Sequence, residues 1–214
     1  MAKFRWFGQA CFEISDDVTL VTDPHDGDSV GLEAPDTQGD IVTVSHDHYD
    51  HASGKTLVSK PGSVVLEGME KGTVGDIEIQ RFQSFHDKAQ GDARGKNTIF
   101  KFEVDGLKIC HLGDLGHKLG GDKIEELKPI DVLLIPVGGK FTIDGNEAAD
   151  LVEKLNPQVV IPMHYKVEGL EVPISGPGQF LNRMEDGYRI VERDVLELDE
   201  VPEEATVYVL ECMA

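Results

Sequence analysis

Four apolar, strand-like runs in this chain each lead to a histidine or an aspartate: Ile41–Val44 before His46, Ile79–Phe82 before His86, Leu107–Cys110 before Asp114, and Val159–Ile161 before His164. Packing alone gives no reason for a metal-ligating residue type at every exit. A layered α/β scaffold, whose sheets release side chains at one edge, does. The first exit is the densest. Val44 to His51 reads VSHDHYDH, which sets His46, His48, Asp50 and His51 within six residues. On an extended segment His46 and His48 share a face, because side chains two apart point the same way. Asp50 and His51 then open a helix and approach the same spot from the other side. Imidazole with carboxylate suits zinc, iron or manganese, whereas calcium and magnesium want oxygen ligands; zinc is the default reading.

Around these exits the chain reads as alternating short elements. Lys3–Phe7, Ala10–Ile14 and Val18–Thr22 are strands, the third stopped by Pro24. Gly27–Gly39 is a polar loop long enough to border a site. Asp40–Ser45 is the strand that delivers the motif, Ala52–Ser59 a short helix or turn, Ser63–Leu66 a strand, and Gly72–Ser84 a strand arriving at His86. Lys88–Asn97 is a glycine-bearing loop, and Thr98–Val104 turns into Leu107–His111 at Asp105-Gly106 in hairpin style. Ile124–Leu127 lies in a short helix and Asp131–Val137 is a buried strand. Asn146–Leu155 has helical spacing with Asp144 or Asn146 as cap, and Gln158–Pro162 is the strand before His164. Gln179–Glu185 reads as helix, and Tyr188–Val191, Val195–Leu198 and Thr206–Glu211 as closing strands.

The 214 residues suffice for one full core, read as one domain over 1–214. No apolar run approaches the roughly 20 residues of a membrane span, and the first residues, MAKFRWFGQACFEI, lack a secretory pattern, so a cytoplasmic protein with no membrane partner is expected. Cys11, Cys110 and Cys212 are far apart and form no CxxC pair, which argues against a disulfide framework. Forty acidic against 20 basic side chains give a net charge of −20, which repels polyanions. Nucleic acid is therefore disfavoured and a small-molecule substrate favoured; homo-oligomer formation and a salt-rich setting are left open.

With these residues in place, the chain resembles the metallo-β-lactamase superfamily. HDHYDH matches its His-x-His-x-Asp-His signature at every fixed position. His86 resembles the third metal-binding histidine, Asp114 the bridging aspartate, and His164 the last histidine. Asp23, in Thr22-Asp23-Pro24, resembles an early aspartate that supports the site. The likeness runs from Phe4 to His164. Within it, WFGQACFEI, HLGDLGH and IPMHYK point to the compact zinc-dependent hydrolases akin to the ascorbate-6-phosphate lactonases. Gln9 departs from the histidine that many members carry after that glycine. His48 stands where flavodiiron oxygen reductases carry Glu, the processing nucleases need an inserted domain, and Ser84-Phe85-His86-Asp87 differs from the Gly-His-Thr motif of the dioxygenase and glyoxalase-like branches.

The resemblance implies an αββα sandwich, two mixed β-sheets flanked by helices, with metals at one edge. It implies two divalent ions, zinc first and manganese or iron as alternatives: one held by His46, His48 and His86, the other by Asp50, His51 and His164, with Asp114 bridging. A metal-bridging hydroxide would cleave a small ester, lactone or phosphodiester, and Asp50 would also orient the nucleophile. No GxSxG elbow offers a serine alternative. Arg94 and Lys96 are candidates for gripping an anionic group if the substrate carries one. Lys166, His111 and His117 are candidates for lining the pocket or supporting it, and His25 reads as loop structure. The rival reading is a metal-binding or regulatory protein of the same fold without turnover.

Overall fold

The computed structural model describes residues 1–69, 73–74 and 77–214. The first half of the chain forms β1 (Ala2–Trp6), β2 (Phe12–Ser15), β3 (Thr19–Thr22), β4 (Gly39–Val44), the single-turn helices α1 (Tyr49–Ala52) and α2 (Lys55–Val58), and β5 (Ser59–Glu67). Then follow β6 (Thr73–Val74), β7 (Ile77–Phe85), β8 (Lys96–Val104), β9 (Leu107–His111), α3 (Gly121–Leu127), β10 (Val132–Pro136), α4 (Gly145–Leu155) and β11 (Val159–Met163). The chain closes with α5 (Gly178–Met184), β12 (Arg189–Arg193), β13 (Leu196–Leu198) and β14 (Thr206–Leu210). The strand expected over Gly72–Ser84 is two strands; Gly72, Gly75 and Asp76 lie outside the described residues.

Among the described residues the strands form two sheets, ordered β13-β1-β2-β3-β4-β5 and β12-β14-β11-β10-β9-β8-β7-β6. In the second, β8 is antiparallel to both β7 and β9, so those two run the same way, and β9, β10 and β11 are mutually parallel. The C-terminal ends of β7, β9 and β11 therefore share one edge, where open α/β sheets place their sites. That edge receives His86, Asp114 and His164.

Burial explains why these strands hold. All five residues of β10 and of β11 are buried, as expected of parallel strands covered on both faces. Full burial of Leu133, Leu134 and Ile135 contributes about 1.5–3 kcal/mol each. α4 presents Ala148, Ala149, Leu151, Val152 and Leu155 to the core. Its start is fixed by a capping box: the Asp144 carboxylate accepts from the amides of Asn146 and Glu147, while Glu147 reaches back to the Asp144 amide. Asp105 and Gly106 both have positive φ (51° and 75°), the backbone that a two-residue hairpin turn requires. Cys11 and Cys110 are buried as small apolar residues, and burial pushes the Cys110 thiol up to about 12.

Candidate metal centre

The end of β4 delivers His46 and His48, and α1 opens immediately after, carrying Asp50 and His51 back towards them. His86 follows β7 directly, Asp114 lies three residues past β9, and His164 follows β11. These exits meet at one atom. Asp114 Oδ2 lies 3.2 Å from His51 Nε2, 3.2 Å from His86 Nε2, 3.3 Å from His164 Nε2 and 3.9 Å from His46 Nε2. His48 joins through Nδ1, 3.0 Å from His46 Nε2, and Asp50 Oδ2 lies 3.5 Å from His51 Nε2. The donor atoms fall into two groups, His46/His48/His86 and Asp50/His51/Asp114/His164, each with its atoms within 4.8 Å of one another. Every member but His48 is buried.

Asp23 organises the cluster from behind. Its carboxylate accepts from the Ser45 amide and the Ser45 hydroxyl, each at 2.6 Å, and from His51 Nδ1 at 3.0 Å. With its proton given to Asp23, the Ser45 hydroxyl is left as an acceptor for His46 Nδ1 at 2.9 Å. One carboxylate thus fixes the outward nitrogens of both His46 and His51 as donors, which turns their Nε2 lone pairs inward. Lone pairs converging on a carboxylate oxygen repel one another unless a cation stands among them. Asp114 Oδ1 is also buried with no hydrogen-bond partner. The residues therefore fit a divalent metal ion.

The electrostatics agree. Burial, then the charge on His51, holds His46 down to about 3, and burial lowers His86. Burial also works against charge on Asp114 and Asp50. It is outweighed at Asp114 by His164 and His51, and at Asp50 by His51, so both carboxyls stay low. Burial opposes a proton on His51 too, yet Asp114 and Asp50 raise it well above the ordinary value. A proton and a metal ion compete for that same position.

Among the other expected participants, His111, His117 and Lys166 bond to backbone. His111 Nε2 bonds the Ala10 carbonyl (3.0 Å) and Nδ1 accepts from Gly113 N (3.3 Å). His117 accepts from Phe85 N (3.2 Å) and its Nδ1 bonds the Lys118 carbonyl (2.9 Å). His25 is held the same way, by the Phe7 carbonyl and the Gly27 amide. These three rings brace loops with both nitrogens. Lys166 donates to the carbonyl of Leu170 in its own loop. Arg94 stacks over Phe141 at 4.2 Å. Lys96 is on the wall of a cavity of about 440 Å³ that also has His46, Asn97, Gln83 and Met69 around it.

Sequence reasoning did not find Asn97, Ser45 or Asp87, and left Gln9 open. The Asn97 carboxamide accepts from Asp114 N (2.9 Å) and donates to Ser84 Oγ (2.7 Å) and the Leu112 carbonyl (2.9 Å), tying the β7 and β9 exits together. Asp87, directly after His86, accepts from the amides of Ala89, Gly91, Ala93 and Arg94 at 2.7–3.1 Å. The Gln9 side chain sits against Asp50 and His164. Amides and hydroxyls of this kind carry no spacing signature; only Ser45 and Asp87 stand beside a donor in sequence.

This fold, with donors gathered at one edge of a two-sheet sandwich, defines a class. The family model described as a beta-lactamase superfamily domain matches residues 3–164, and the chain belongs to the metallo-β-lactamase superfamily, among its metal-dependent hydrolases. A UPF0173 metal-dependent hydrolase from Thermococcus onnurineus is 31% identical over 77% of this chain and 85% of its own length. One from Methanopyrus kandleri is also 31% identical, over 91% and 96%. A solved structure from Thermotoga maritima, ascribed to the Zn-dependent hydrolases of the metallo-β-lactamase superfamily, is 39% identical with a TM-score of 0.77, covering 98% of each chain.

Proposed function

We propose that this chain is a binuclear, zinc-first hydrolase of a small ester, lactone or phosphodiester. The observation that carries it is Asp114 Oδ2 set among four imidazole nitrogens from three other chain segments. His46, His48 and His86 would hold one ion, and Asp50, His51 and His164 the other, with Asp114 shared. Zinc is supported by the description of the Thermotoga relative and by the nitrogen-rich donor set. Bound there, the ions supply hydroxide at neutral pH and polarise the electrophile.

The chain's own groups do the rest. Asp23, directly and through Ser45, keeps His51 and His46 in the tautomers that present Nε2. Asn97 fixes the backbone of Asp114. Gln9 bonds Asp50 through Oδ2, and Asp50 would orient a nucleophile. The cavity beside His46 has the volume of a small-ligand site, and Lys96 on its wall suits a phosphate or carboxylate group of the substrate.

Metal analysis followed by a panel of lactones, esters and phosphodiesters tests this, with His48→Ala as control. Turnover that requires both metal and His48 supports it. Bound metal without turnover on any member leaves the metal-binding, non-hydrolytic reading.

A further inference from the structure

We infer that Gln9 is a positioning residue for the Asp50/His51/Asp114/His164 group, holding it in place by side chain and main chain at once; this rests on the reading that the group binds the second ion. Gln9 is fully buried. Its Nε2 donates to Asp50 Oδ2 at 3.0 Å and lies 3.4 Å from His164 Nε2. The reverse amide orientation would set Oε1 against a carboxylate oxygen, so the donor must face Asp50. Oε1 is then left buried with no hydrogen-bond partner. Buried acceptors are seldom left so, and an amide kept here despite it is kept for its donor. Leu or Met would fill the space without that orphan.

The main chain makes the second tie. Gln9 has φ +45°, and its carbonyl accepts from His164 N at 2.9 Å and from Trp6 Nε1 at 3.0 Å. His164 is itself at φ +51°. Left-handed backbone is unusual for either residue type, and here each stabilises the other across 155 positions of sequence. Gly8 permits the turn: φ is +87°, and an added Cβ would sit 2.5 Å from Leu32 Cδ1. Gln9 therefore sets the carboxylate of one donor and the backbone of another. Nothing comparable ties it to His46, His48 or His86, so its removal acts on one donor group only.

The test is stepwise Co²⁺ titration of the apo-protein, read by visible absorption and by calorimetry, for wild type, Gln9→Met, Gln9→Asn and Gln9→His. Met removes the donor, Asn is too short to reach Asp50, and His restores an N–H. We expect one of the two equivalents to weaken about 10–100-fold in the Met and Asn variants, the other to be unchanged, and His to recover most of the loss. Equal binding of both equivalents in wild type, Met and Asn overturns the inference. So does equal weakening of both steps, which marks a general structural role. If the wild type takes up fewer than two equivalents, the two-ion reading itself fails.

Discussion

Asp23 Oδ2 accepts from His51 Nδ1 at 3.0 Å, and both groups are fully buried. Asp23→Asn should invert this contact. The Ser45 amide keeps the Asn carbonyl in place, so the Asn NH₂ faces His51 and forces its proton onto Nε2. Metal affinity should fall about 10–100-fold, measured by chelator competition. Unchanged affinity would show that the tautomer of His51 is set elsewhere.

Asp87 gives a pH dependence of defined sign. Partial burial works against its charge, but the amides of Arg94, Gly91, Ala89 and Ala93 outweigh this and hold the carboxyl below its ordinary value. A carboxyl lowered on folding contributes stability in full above its unfolded pKa of about 4, and loses it as pH falls through the lower folded value. Hydrogen-exchange protection at those four amides should drop on acidification below about pH 4. Asp87→Ala should show the loss at neutral pH.

Gly138 donates to the His164 carbonyl at 3.1 Å, and a Cβ there would lie 2.2 Å from that same oxygen. Backbone cannot yield as a side-chain tip can. Gly138→Ala should cost about 1–3 kcal/mol, read from denaturant midpoints, and weaken metal uptake by displacing His164.

The net charge of −20 predicts salt-dependent stability. Glu185, Asp186, Asp199, Glu200, Glu203 and Glu204 are exposed acidic residues within the last 30 positions of the sequence. Shortening the Debye length from about 30 Å to about 3 Å, by raising KCl from 0.01 to 1 M, should raise the Tm by several degrees. A flat Tm would mean the repulsion is already balanced locally.

The fold was legible because its strands are apolar runs ended by glycine, proline or a ligand, and because parallel β10 and β11 needed unbroken hydrophobic stretches. Most boundaries moved by a residue or two, as when Asp131–Val137 resolved to Val132–Pro136, while the strand expected over Ser63–Leu66 starts four residues earlier, at Ser59, since ladder ends depend on neighbours that sequence does not show. The seven donor residues were legible because histidine is rare in this chain and because the motif and each later donor come after a strand. Histidines 111 and 117 looked alike on either side of Asp114, yet both spend their nitrogens on backbone, a pairing decided by tertiary contacts. Gln9 and Asn97 carry no motif; their importance lies in which ligand each touches.

Metal-dependent hydrolysis at these donors is read from the rate of lactone or ester hydrolysis as the apo-protein is titrated with Zn²⁺. The account predicts a rise that saturates at two equivalents per chain and is abolished in His48→Ala. Hydrolysis that is independent of metal, or equal in His48→Ala, would contradict it.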